Sequence, residues 1–146
     1  MSDGGGGSAA RWRAVAAWGF AVFFLTAGVL HFVAVEAFAR IVPPWLPAPE
    51  AIVRLTGAME IAFAAGLAVP RWRRVTGRVL ALYLLAVLPA NVYMALERIP
   101  VAGTVLPDWA LWGRVALQFP LIAAILAVTA APLRSSHKER SPTGPS

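Results

Sequence analysis

The chain contains no cysteine. Disulfides, thiolate metal centres and cysteine redox chemistry are therefore excluded for the chain by itself. Histidine is almost as scarce: there are two, His31 and His137, and His137 lies in a polar tail. A dedicated histidine metal site needs several converging ligands, so no metal is expected. Charge is thin too, with 14% of residues charged, against about 25% in soluble domains. Apolar residues fill the gap at 59% of the 146-residue chain. By composition this is a membrane protein of one domain, with the lipid bilayer as its first partner. The net charge of +6 raises nucleic acid as another. The basic residues lie beside apolar spans, however, where membrane orientation accounts for them, and no nucleic-acid partner is expected.

About 20 apolar residues at 1.5 Å each cross a hydrocarbon core. On that measure the sequence predicts four membrane-spanning helices, at about 14–35, 51–69, 75–96 and 109–131. Residues 1–10, with Gly4 to Gly7 and Ser8, read as a flexible tail, and 133–146 as a second, polar one. Arg11 and Arg13 lead into a span too long for a signal-peptide core and without a small-residue cleavage site, so the first helix reads as uncleaved. Between the first two spans, Pro43 and Pro44 forbid helix, while Phe38, Ile41, Val42, Trp45 and Leu46 make the connection apolar. Such a loop is expected in the headgroup region or folded back as a lid, with Trp45 as an interfacial anchor. Short connections favour an all-α, up-down-up-down four-helix bundle. Ala58, Ala62 and Gly66, spaced by four, predict a groove on the second helix for a neighbour.

Nine basic residues fall on one side of these spans: Arg11, Arg13, Arg71, Arg73, Arg74, Arg78, Arg134, Lys138 and Arg140. The opposite loops hold Arg40 and Arg98 beside Glu36, Glu50, Glu97 and Asp108. The positive-inside rule then puts both termini in the cytoplasm, with a bacterial cytoplasmic membrane as the setting.

Every span carries a polar group into its outer half. Glu60 lies near the middle of the second, and an ionised carboxylate there costs roughly 2.5–3.5 kcal/mol on insertion scales, so it is expected to face inward and have a partner. His31, Arg54, Asn91, Arg114 and Gln118 lie at comparable depths, and these six form the candidate ligand-binding cluster, with Pro43, Pro44 and Trp45 over it. Arg114 is the expected partner of Glu60, with His31 and Arg54 as alternatives. Pro89 and Pro120 leave the carbonyls of Leu85 and Ala116 without their usual donors, free for another donor or a ligand. Each group also has a structural reading: a buried ion pair fixing register, a hydrogen-bonded histidine, amides joining helices, Arg54 reaching the headgroups.

The ordered set Gly28-Val-Leu-His31-Phe32, Ile41-Val42-Pro43-Pro44-Trp45-Leu46-Pro47, Gly57-Ala-Met-Glu60, Pro89-Ala90-Asn91 and Arg114-Val-Ala-Leu117-Gln118 resembles the DoxX-like family of small four-helix membrane proteins. The resemblance covers roughly residues 18–130. One departure is visible: the family often has Arg-Leu-Pro-Leu-Gln in the fourth helix, whereas positions 115 and 116 here are Val and Ala. Some relatives are linked to thiosulfate:quinone oxidoreductase as a membrane subunit, others to oxidative-stress and thiol-handling assemblies. The resemblance thus implies a redox connection.

Three functions compete on this evidence. The bundle is an accessory subunit that holds a lipophilic molecule such as a quinone beside a membrane-associated oxidoreductase, with no catalysis of its own. Or it is a scaffold whose polar cluster only fixes packing. Or it is a small proton-linked carrier titrating at Glu60, against which stands the lack of repeats and broken half-helices.

Overall fold

The apolar runs become helices wherever proline permits. A computed structural model describes residues 4–100 and 103–130. Helix α1 spans Gly4–Val33, α2 Val35–Ala39, α3 Pro49–Ala68, α4 Arg73–Leu96 and α5 Asp108–Thr129. Pro49 sits in the first turn of α3, where its missing N–H costs nothing, and Glu50 follows with favourable charge for a helix start. The helix ends at Val69, whose backbone is extended ahead of Pro70. Pro107, with extended backbone, precedes α5, and Asp108 puts a negative charge in its first turn. Pro89 and Pro120 lie inside α4 and α5, and both helices continue through them.

Some boundaries differ from the sequence reading. The first helix begins at Gly4, inside the stretch expected as a flexible tail, because extending a formed helix is far easier than nucleating one. Its other end stops at Val33, where Ala34 leaves helical geometry (φ −120°, ψ 40°). The chain then forms α2 within the expected loop. The last helix ends at Thr129, two residues short of the expected 131, and the tail expected at 133–146 lies outside the described residues.

Four of the helices, Gly7–Val33, Pro49–Ala68, Arg73–Leu96 and Asp108–Thr129, are long and apolar enough to cross a membrane. The shortest has 20 residues, about 30 Å of rise. Large apolar side chains face outward along them: Val22, Phe23, Leu82, Leu117 and Phe119 are all exposed. A belt of that extent fits lipid and not water. The chain has the architecture of a multi-pass membrane protein.

Inside, Phe24, Phe63, Leu67, Leu80, Tyr83, Leu84 and Ile125 form one core. Met94, Ala95, Ile99 and Leu111 form a second toward the loop end, with Ile41 packed against it. Two glycines bring α1 and α3 into close approach. A Cβ added at Gly28 would sit 2.7 Å from the Gly57 carbonyl oxygen, and one at Gly57 would sit 2.7 Å from the His31 Cβ. Only glycine allows that crossing. The stripe expected to form the groove packs only at one end: Gly66 is buried against Thr76 of α4, while Ala58 and Ala62 are exposed, and the buried residues of α3 are Val53, Gly57, Glu60, Phe63, Ala64, Gly66 and Leu67.

Candidate functional site

The α1–α3 crossing decides what Glu60 meets. With Gly57 against α1, the next inward position on α3 is Glu60, three residues on. Its residue is 7% exposed, and its Oε2 lies 3.1 Å from His31 Nδ1. Across the bundle the Tyr83 hydroxyl donates to Oε1 at 2.9 Å. One carboxylate of α3 therefore lies against α1 and is hydrogen-bonded to α4.

The proton at His31 Nδ1 is contested. The Ala27 carbonyl oxygen, one turn back on α1, lies 2.8 Å from the same nitrogen. A ring nitrogen carries one hydrogen at most. With that hydrogen aimed at Ala27, the Glu60 Oε2 contact is close but is not a hydrogen bond, and Oε2 has no hydrogen-bond donor although it is buried. The Phe38 ring from α2 stacks on His31, with centroids 4.2 Å apart. Phe38 thus covers the pair from the loop end.

A second polar group joins α4 to α5. Arg114 Nη2 donates to Asn91 Oδ1 at 3.2 Å, and Asn91 Nδ2 donates to Gln118 Oε1 at 2.9 Å. Gln118 Nε2 in turn donates to the Leu84 carbonyl. Every donor in this relay points the same way, toward the α4 backbone on the N-terminal side of Pro89. The carbonyl reached is Leu84, one residue before the expected Leu85.

The six residues expected as one cluster therefore divide. His31 and Glu60 meet; Asn91, Arg114 and Gln118 meet separately; Arg54 joins neither. The expected Glu60–Arg114 pair is not formed, because Arg114 is turned to Asn91 while His31 and Tyr83 occupy the carboxylate. Arg54 faces out and pairs with Glu50 at 3.4 Å, one turn away on α3. Tyr83 was missed: its signal was a tyrosine at mid-span, away from the span ends where aromatic belts sit.

The loop is only partly the lid expected. Pro43 is buried, but Pro44 is exposed and Trp45 is 69% exposed. Trp45 leans edge-on against Tyr93, at 6.0 Å between centroids, while Phe38 does the covering. Among the described residues no three His, Asp or Glu side chains are grouped to hold a metal. A cleft of about 440 Å³ opens at the loop end between Phe32, Glu36, Arg40, Glu50 and Arg54. Glu60 does not line it.

No curated protein and no solved structure matches the chain. Residues 20–129 match the model of the family described as Domain of unknown function (DUF8561), a span that includes His31, Glu60, Tyr83, Asn91, Arg114 and Gln118. The chain belongs to that family.

Proposed function

We propose that this chain is a DoxX-like accessory subunit of a membrane redox or stress-response system, holding a lipophilic, polar-headed molecule of the quinone type. The observation that carries the reading is Glu60 Oε2, a buried acceptor at mid-span whose nearest donor, His31 Nδ1 at 3.1 Å, is also claimed by the Ala27 carbonyl. Leaving such an atom unpaired is costly, and a quinol hydroxyl supplies the donor it lacks. His31 and Tyr83 are the neighbouring groups able to exchange or share the proton. With no cysteine in the chain, electrons reside on the bound molecule or on a partner oxidoreductase. Phe38 blocks the loop-end approach, so displacement of α2 is the step that admits a headgroup. In this proposal the bundle runs up-down-up-down in a bacterial cytoplasmic membrane, with both termini inside as the basic residues dictate.

A structural scaffold is the second reading. It is favoured by the reach of Glu60 to two other helices and by its distance from the loop-end cleft. Quinone binding separates the two. Purified protein is extracted for co-purifying quinone, then titrated with a soluble quinol analogue. The accessory reading expects saturable binding that Glu60→Gln abolishes, because an amide nitrogen at the Oε2 position donates where the carboxylate accepted. Absence of any bound or titratable quinone leaves the scaffold.

A further inference from the structure

We infer that the cleft between the start of α4 and the end of α5 binds the phosphate of an anionic phospholipid through Arg74 and Arg78. The cleft measures about 290 Å³ and is lined by Arg74, Arg78, Leu126, Thr129 and Ala130. It lies at the opposite end of the bundle from the α2–α3 loop and is independent of Glu60.

The charges there are unbalanced. Arg74 and Arg78 stand one turn apart on one face of α4, where like charges repel. Arg13, Arg73 and Arg71 at this end are engaged. Arg13 donates to the Ala130 carbonyl at 3.0 Å. Arg73 Nε donates to the Leu67 carbonyl at 2.7 Å, closing the end of α3. Arg71 lies against the Trp72 ring. Arg74 and Arg78 have no hydrogen-bond or ion-pair partner among the described residues. The described carboxylates are elsewhere: Glu36, Glu50, Glu97 and Asp108 at the other end, Glu60 at mid-span. Thr129 has given its hydroxyl hydrogen to the Ile125 carbonyl at 2.8 Å, so it offers no donor of its own, and the pair of guanidiniums is the donor set. Forked guanidiniums match phosphate oxygens two at a time. Basic pockets between membrane helices at the headgroup level take anionic lipids for this reason.

The surface below the cleft selects lipid over free phosphate. Leu82 and Leu85 continue the Arg74–Arg78 face of α4 by one and two turns, and both are exposed. Leu126 from α5 borders the cleft and is also exposed. An acyl chain attached to a phosphate at Arg78 has an apolar track to lie in.

Native mass spectrometry of the protein in neutral detergent tests this with phosphatidylglycerol, phosphatidylcholine and inorganic phosphate. The wild type is expected to retain phosphatidylglycerol over phosphatidylcholine on the order of tenfold, as two interfacial arginines allow. The preference should vanish in an Arg74→Gln, Arg78→Gln double variant and persist in Arg71→Gln, which removes equal charge per site outside the cleft. If the double variant does not fold, each single variant is expected to lose about threefold. Equal retention of the two lipids overturns the inference. So does an equal loss in Arg71→Gln, which would assign the preference to diffuse charge. Displacement of phosphatidylglycerol by millimolar inorganic phosphate would make the site a phosphate site and overturn its assignment to lipid.

Discussion

Glu60 holds its place through specific partners, and those partners can be counted by mutation. Leaving a buried polar group without its neighbour typically costs about 1–3 kcal/mol, while removing both partners is milder. Glu60→Gln and His31→Gln are therefore expected to couple in a double-mutant cycle of thermal unfolding in detergent, by about 0.5–3 kcal/mol. Glu60→Gln and Arg114→Gln should add within about 0.5 kcal/mol, since Arg114 binds Asn91 on the other polar group. Strong coupling of Glu60 to Arg114, with none to His31, would contradict the observed network. The carboxylate itself was legible in the sequence, because a charge inside an apolar run has to be explained. Its partner was legible only as one of three, Arg114, His31 or Arg54. Depth along a span follows from residue number, but several polar groups shared that depth, and only the azimuth of each helix chooses among them. Here the choice is made by the glycine crossing that carries His31 to α3.

Helices were legible as apolar runs ended by proline, and α3 and α4 match their expected bounds within about two residues. Faces were harder to read. Ala58 and Gly57 are adjacent in sequence, yet 100° of rotation puts one toward lipid and the other against α1. The stripe has the right spacing for a groove, yet only Gly66 of its three residues is turned inward, and spacing alone does not say which small residues pack. Short α2 was invisible because its apolar residues read equally as an interfacial loop. Substitution distinguishes the two faces of α3. Gly57→Ala forces a Cβ to 2.7 Å from the His31 Cβ, an overpacking that costs about 1–3 kcal/mol. Ala58→Val, at an exposed position, is expected to change stability by no more than about 0.5 kcal/mol. Thermal unfolding of both variants in the same detergent measures the contrast, and a larger loss for Ala58→Val would put the wrong face against α1.

Over the whole molecule, polarity is arranged by end as well as by face. The end with the α2–α3 loop and the 97–108 connection carries Glu36, Glu50, Glu97 and Asp108, and its arginines are partly neutralised there: Arg98 pairs with Asp108 at 3.2 Å and Arg54 with Glu50. The other end gathers Arg11, Arg13, Arg71, Arg73, Arg74 and Arg78 with no described carboxylate among them. Anionic lipid and the membrane potential both hold such an end on the cytoplasmic side, since each cation moved outward works against about 2.3 kcal/mol per 100 mV. That asymmetry is the physical ground of the proposed orientation. Because the chain has no cysteine, each introduced thiol is a unique reporter. Val105→Cys, exposed in the α4–α5 connection, is expected to react with an impermeant thiol reagent on intact cells, and Trp72→Cys, exposed in the α3–α4 turn, only after the membrane is permeabilised. The reverse pattern would place the arginine-rich end outside. It would also put the anionic-lipid cleft in the outer leaflet and Phe38, with the Glu60 pair beneath it, on the cytoplasmic side.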